Sequence, residues 1–396
     1  MLNGSLKKLH NNRINTQILV RTKVLLVGPL PPPFGGIPTY VKSLSEAFIQ
    51  DIDLICFNTA LPENIAPFNR EGKSSYSSMF ENGFLGGIKK ILFALLSYIR
   101  LFVTISQEKP DIVQVFTCSY WGYWRNWLYI LTARLLRKKT IFHLLNAIDL
   151  FYINSDKFGK FLLTKSLNSA DIYLVQSPGL QEWLNRYCHK KTFGIWNGID
   201  LSSIPSCPIF IEKNKFSGTL VGITVGGLSK NKGTYDILDV LHAFKDQGVI
   251  INWIFVGNGN LEYFRKLVKE KGLENQIEFT GPVTEELKWQ KLYSADFYCM
   301  PSYAEGQPIS IIEAMAIGLP IISSDVGSIR EMIGYTECGI VVRPGCVDEL
   351  KKALLDIIQD EEKRISMGIK AKEVAYSRHK DVDLFTSLEQ IYKSIV

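Results

Sequence analysis

From Lys23 onward, short apolar runs alternate with stretches whose apolar residues recur every three or four positions. Lys23–Gly28 is a continuous apolar run ending in glycine, and a proline- and glycine-rich loop leads from it to a helix near Pro38. Further strands are expected at Asp53–Phe57, Asp111–Phe116, Thr140–Leu145 and Ile172–Gln176. Strands that are apolar throughout, rather than alternating, belong to parallel sheets covered by helices on both faces. The first half is therefore expected to be Rossmann-like. The pattern then starts again, with strands at Thr219–Gly226, Asn252–Gly257, Ile277–Thr280, Phe297–Met300 and Pro320–Ser323. Helices are expected between them at Tyr235–Phe244, Leu261–Lys271 and Glu285–Ala295, and after them at Asp348–Gln359. Asn197–Ser217 separates the two halves; its weak periodicity and its Gly198, Pro205 and Pro208 mark a linker. The expected organisation is an N-terminal extension (1–20), a first Rossmann-like domain (21–200), a second (201–375) and a C-terminal helix (376–396) crossing back to the first. Two doubly wound α/β domains facing a cleft bind ligands at the carboxyl ends of their strands.

Composition narrows the ligand. The chain has 396 residues, 46% of them hydrophobic, which suits two domains with cores of their own. Its net charge of +6 is spread along the chain without a basic arm, which argues against nucleic acid. Phosphorylated small molecules and an anionic membrane face both remain compatible with it. The seven cysteines are scattered and form no CxxC pair, so free thiols are expected rather than a zinc site or a disulfide frame. The first twenty residues lack the apolar core of a signal peptide, which points to the cytoplasm. Lys89, Lys90 and Arg100 interrupt the apolar stretch Ile88–Ser106. It therefore falls short of the roughly 20 apolar residues of a spanning helix. A buried helix of the first domain is the simpler reading, and docking on the inner face of a membrane is the alternative.

The chemistry concentrates in Pro301–Pro320. A strand ends near Met300, a loop carries Glu305 and Gly306, and Pro308 suits the first turn of a helix on which Ile309, Ile312 and Ala316 follow helical spacing. Glu305 is expected in the loop facing the cleft, with Glu313 about 8 Å along the helix axis from the helix start. A carboxylate can accept both hydroxyls of a vicinal diol, so two at this spacing can hold two diols of one ligand, a ribose and a hexose. Between them, the open backbone N–H groups of the loop and helix start, around Gly306, Pro308 and Ile309, favour a diphosphate. Those three parts make a nucleotide sugar.

This segment, EGQPISIIEAMAIGLPIISSDVGS from Glu305, resembles the signature of family 4 of the retaining glycosyltransferases. The likeness extends to Pro33–Tyr40, Asn197–Asp200, Ser229–Gly233 and Val256–Gly259, each similar to a loop of that family. The resemblance implies the two-domain GT-B fold and retaining transfer from a nucleotide-sugar donor, without a metal, to a glycan or lipid-linked acceptor. Synthesis of a bacterial surface polysaccharide is the expected setting. It also implies that Glu305 binds the donor sugar, Glu313 the ribose and Lys232 the diphosphate, while Gly35 and Gly36 let the first domain's backbone approach the phosphates. Positive groups fixed there would act on charge growing at the leaving diphosphate.

Two positions depart from that pattern. Gly227 stands where the family usually carries an arginine, and Lys230 cannot reproduce a bidentate guanidinium fork. A sugar-nucleotide-binding or scaffold protein without turnover is therefore the second reading. His143, at the end of an expected strand, is either a catalytic histidine beside the sugars or a core residue. Asp51-Ile-Asp53 mimics a metal-binding DxD but reads as a turn-to-strand boundary, and no metal is expected. The aromatic run Ser119–Tyr129 reads either as helix packing or as an acceptor-side surface. An oxidoreductase is disfavoured because Gly28–Gly36 lacks the GxGxxG spacing of a dinucleotide turn.

Overall fold

The computed structural model describes residues 21–32, 36–60, 83–117, 121–145, 148–206 and 219–396, with backbone alone at 83–91 and 121. In the first half, strands and helices alternate as β1 (Thr22–Gly28), α1 (Gly36–Ser45), β2 (Ile52–Asn58), α2 (Gly83–Glu108), β3 (Ile112–Thr117), α3 (Trp121–Leu135), β4 (Lys139–Leu144), α4 (Ile148–Ile153), α5 (Lys157–Ser166), β5 (Ile172–Val175), α6 (Pro178–Asn185) and β6 (Lys191–Gly194). The strands form one parallel six-stranded sheet in the order β2-β1-β3-β4-β5-β6. One face packs against α2, α3, α5 and α6 through residues such as Leu101, Tyr123, Leu163 and Leu180. The other face, with Val24, Leu26 and Ile141, is covered by Tyr40 and Val41 of α1 and by the chain's last helix.

The second half repeats the scheme with β7 (Val221–Val225), α7 (Thr234–Asp246), β8 (Asn252–Val256), α8 (Leu261–Glu270), β9 (Ile277–Gly281), α9 (Glu285–Tyr293), β10 (Phe297–Met300), α10 (Ile309–Ala316), β11 (Ile321–Ser324) and β12 (Gly339–Val342). Its sheet is also parallel and six-stranded, in the order β12-β11-β10-β7-β8-β9. Three helices close the chain: α11 (Val347–Gln359), α12 (Glu361–Arg378) and α13 (Asp381–Ile395). These two Rossmann-like domains facing a cleft are the GT-B architecture. The apolar runs identified ten of the strands, including the four-residue β5, β10 and β11; β6, in which Phe193 is the one large apolar residue, and β12 were not singled out.

The domains are tied where the chain passes between them. The N–H of Ile199 donates to the His379 carbonyl at 2.9 Å, and the N–H of Asp381 donates back to Ile199 at 3.2 Å. A Cβ on Gly198 would lie within 2.7 Å of the Lys380 and Asp381 backbone, so this approach requires glycine. From there α13 returns to the first domain and buries Leu384, Leu388, Ile391 and Tyr392 against its sheet. A second tie runs through Glu331, whose carboxylate accepts from Ser177 Oγ at 2.6 Å and from the Gly179 N–H at 2.9 Å, at the start of α6.

The expectation that Ile88–Ser106 lies buried needs correction. Only the side of α2 carrying Ser97, Leu101 and Ile105 meets the core. Leu92, Leu95, Leu96, Ile99, Phe102 and Val103 are 43% to 61% exposed. The reason is geometric: a helix laid on one sheet face covers a single stripe, and this helix is apolar beyond that stripe. No described helix is long and apolar enough to cross a membrane. In the aromatic run, residues 119–120 and the side chain of Trp121 lie outside the described residues; of the rest, Tyr123 and Tyr129 are fully buried, and Trp127 Nε1 donates to Ser169 Oγ at 2.8 Å.

Candidate active site

The strand order decides where a ligand can sit. In the second sheet β7 is flanked by β8 and β10, so the chain steps one way after β7, to β8, and the opposite way after β10, to β11. The crevice of a doubly wound sheet opens at such a switch. Two loops border it, one following β7 through a 3-10 turn at Lys230–Lys232, the other following β10 from Pro301 to Pro308. The Tyr303 N–H donates to the Asn231 carbonyl at 2.8 Å and joins them. Gly233 closes the lysine turn at φ 70°, and a Cβ there would collide with the Pro301 carbonyl oxygen. Only glycine fits that junction.

At this junction Lys232 and Glu305 meet, with Nζ 2.5 Å from Oε1 and side chains 28% and 11% exposed. The loop around Glu305 is gripped from behind. The Gly306 carbonyl accepts from both the N–H and the hydroxyl of Ser328, each at 3.0 Å. Asn197, from the interdomain segment, donates its backbone N–H to Gln307 Oε1 and its Nδ2 to the Gln307 carbonyl, the latter at 3.0 Å. Pro308 takes the N-cap position of α10, one residue earlier than the helical first turn, and Ile309 opens the helix. Neither α10 nor α7 receives a side-chain cap; the Thr234 N–H is taken by the Ser229 carbonyl and the Ile311 N–H by Pro308, which leaves the N–H groups of Ile309 and Ser310 in α10 and of Tyr235 and Asp236 in α7 open to an anion beside Lys232.

Glu313 projects from α10 and is nearly as enclosed. Its Oε1 receives Lys288 Nζ at 2.6 Å, with side chains 13% and 12% exposed, and Lys288 also reaches Glu285 at 2.6 Å. Burial raises the Glu313 carboxyl pKa, and the Lys288 charge only partly offsets this. For Lys288 burial acts against the ammonium, yet the two carboxylates outweigh it and its pKa is raised. The structure thus brings Lys232, Glu305, Gly306, Pro308, Ile309 and Glu313 onto two adjoining loops and one helix. Two carboxylates, an ammonium and open N–H groups suit a ligand with hydroxyls and a diphosphate.

The first domain contributes less than its sequence suggested. Gly35 lies outside the described residues; Gly36 opens α1, and a Cβ on it would meet nothing within 4 Å. His143 is not brought to the cleft. It is 1% exposed, edge-on to Tyr40 at 5.6 Å and beside Phe116 at 5.3 Å. Strand alternation sends it to the face covered by α1 and α13, the opposite face from Phe142 and Leu144. Burial lowers its pKa to about 3, so the ring is neutral and Nδ1 accepts from Gln114 Nε2 at 3.1 Å. Gln114 accepts in turn from the Tyr392 hydroxyl at 2.6 Å. The catalytic candidacy of His143 is thereby corrected to a core role. Asp51 sits in a turn at φ 61°, 3.6 Å from Lys393, ahead of β2.

Lys288, Gln307 and Glu331 were not singled out from sequence. Asn197 and Gln307 both lie inside motif segments, so proximity to a motif was an available signal. Lys288 had none, since its partner Glu313 is 25 residues away on another helix.

Comparison with known proteins bears on this half first. Residues 208–374, less than half of the chain, match the family model described as Glycosyl transferases group 1. This corrects the family suggested by the motifs: the match is to group 1, not to family 4 of the retaining enzymes. Two spaced carboxylates express what a nucleotide sugar requires, and that requirement does not distinguish one family from another. A segment of 167 residues is 27% identical to the amylovoran biosynthesis glycosyltransferase AmsK of Erwinia amylovora, covering 40% of this chain and 41% of that one. The chain spans half or less of the length of the first curated relatives it matches. The fold extends further. Sucrose-phosphate synthase from Thermosynechococcus elongatus superimposes with a TM-score of 0.71 at 19% identity, over 94% of this chain and 99% of that one. HepE of Anabaena, solved in complex with UDP, does so with a TM-score of 0.68 at 18% identity, over 94% and 100%.

Proposed function

We propose that the chain is a glycosyltransferase that moves a sugar, with retention of anomeric configuration, from a nucleotide-sugar donor to a glycan or lipid-linked acceptor in polysaccharide synthesis. The observation that carries this reading is the pair of lysine-bound carboxylates, Glu305 and Glu313, beside two uncapped helix starts at the switch of the second sheet. Glu305 takes hydroxyls of the donor sugar, Glu313 the ribose, and Lys232 with the open N–H groups the diphosphate. Charge that grows on the leaving diphosphate meets donors already fixed in place, so stabilisation falls on the transition state. Retention fits because it needs no base on the far side of the sugar, and the one histidine considered there, His143, is buried. Gly35 and Gly36 are assigned to the approach of the first domain to the phosphates.

The test is a panel of nucleotide sugars offered to the wild type and to Glu305→Ala, with the product anomer read by NMR. Transfer that falls by about 1,000-fold in the variant, with a retained anomer, supports the reading. Binding by both proteins without turnover by either would sink it. That outcome favours the non-catalytic alternative, for which Gly227 is the motivating residue.

A peripheral position on an anionic membrane belongs to the same proposal. The exposed apolar stripe of α2 shares a helical layer with α5, where Phe158, Phe161 and Leu162 are exposed among Lys157, Lys160 and Lys165 and no acidic residue interrupts. Apolar side chains ringed by ammonium groups suit the headgroup boundary of such a membrane. Sedimentation with phosphatidylglycerol vesicles but not with phosphatidylcholine vesicles, lost in Phe158→Ser/Phe161→Ser, is expected. Equal partition to both vesicle types rules the electrostatic part out.

A further inference from the structure

The Glu313 carboxylate is divided in a way that the donor reading does not by itself require. One oxygen, Oε1, is taken by Lys288 at 2.6 Å, and no hydrogen bond from the described residues reaches Oε2. Lys288 is itself fixed: it stands on α9, bonds Glu285 at 2.6 Å, and lies 5.1 Å from the centroid of the Trp289 ring. We propose that Lys288 is a positioning residue for the donor's ribose, holding Glu313 ionised and in one orientation so that its second oxygen receives the sugar diol. This rests on the assignment of Glu313 to the ribose.

Lys288 does two things for Glu313, the first of them electrostatic. A carboxylate this enclosed loses hydration, and the neutral acid that replaces it at lower pH is a poorer acceptor for two hydroxyls. An ammonium at hydrogen-bond distance counters that loss, and among the described residues no second cation acts on Glu313. The groups facing it are Lys288 and Glu285 from α9 and Tyr298 from β10; Glu285 disfavours its charge, and the Tyr298 phenol, kept neutral by burial, carries none. Its own helix, Ile309–Ala316, contains no other titratable side chain. The second is geometric. A free glutamate samples several rotamers, and tethering one oxygen from a neighbouring helix removes that freedom before the ligand arrives. Lys288 therefore differs in task from Lys232, whose partner Glu305 sits in the phosphate loop.

The sign of the pH effect follows. Binding requires ionised Glu313, whose pKa burial raises. Removing Lys288 raises it further, so affinity disappears at a higher pH on acidification than in the wild type.

The experiment measures binding of UDP and GDP, each against its 2′,3′-dideoxy counterpart, by calorimetry from pH 5 to pH 9. The proteins are the wild type, Lys288→Met, Lys288→Arg and Glu313→Gln, with thermal melts to establish that each folds. The wild type is expected to prefer the ribose form by about 10- to 100-fold. Lys288→Met is expected to lose most of that preference while its dideoxy affinity is unchanged, and to show the shifted pH profile. Lys288→Arg restores both in part. Equal loss of ribose and dideoxy affinity in Lys288→Met, or no change in either, overturns the proposal. A Glu313→Gln protein that still prefers ribose overturns the assignment on which it rests. A wild type that binds neither nucleotide overturns the donor reading altogether.

Discussion

The two domains share strand count, strand direction and helical covering, yet they finish the carboxyl ends of their strands in opposite ways. In the first sheet the polar residues near the strand ends turn inward. His143, Gln114 and Tyr392 form a buried relay that fastens α13 to the sheet. In the second domain Lys232 with Glu305 on the two loops, and Lys288 of α9 with Glu313 of α10, remain partly open. One arrangement spends polar groups on assembly and the other leaves them available for a ligand. Polarity near a strand end is thus no indicator of function until the face it points to is known.

Three measurements bear on this contrast. The largest effect is expected on the ligand side, where Gly233 joins the two loops. Gly233→Val forces a branched side chain into a left-handed position and against Pro301, and should cost about 3 kcal/mol or more in urea unfolding. A cost below about 1 kcal/mol would show that the junction is slack.

The second measurement addresses the assembly side. The folded pKa of His143, about 3, is lower than the ordinary histidine value, so below neutrality the unfolded chain binds a proton that the native state refuses. Stability is therefore full above the unfolded pKa and falls as the pH drops towards 3. Against His143→Gln, the wild type should lose about 2–3 kcal/mol more between roughly pH 6.5 and 4.5. Parallel pH curves would place the imidazole in contact with water.

The smallest effect concerns Gly227. A Cβ there meets Asn258 Oδ1 at 3.0 Å, the end of a side chain that can move, and the Asn258 carbonyl oxygen at an ordinary contact distance of 3.7 Å. Gly227→Arg should fit and add a guanidinium fork to the phosphate region, tightening nucleoside diphosphate binding by about tenfold. Unchanged affinity would mean that Lys232 and the helix starts already saturate the diphosphate.

Continuous apolar runs fixed the parallel strands, and the loop from Pro301 carried its two glutamates visibly, because strand burial and helical spacing are local properties. Repetition of that pattern on either side of a turn-rich linker made two domains legible as well. Which side chains meet was decided only by tertiary structure. Lys232 reaches Glu305 across 73 residues because strand order places β7 beside β10, and Tyr392 reaches Gln114 across 278 because α13 folds back over the first sheet. Strand order is a property of the assembled sheet, and neither period nor spacing encodes it. The same holds for His143, whose burial depended on a helix more than two hundred residues later in the chain folding back over it. It holds too for α2, where composition indicated an apolar helix and only packing showed how much of it faces outward.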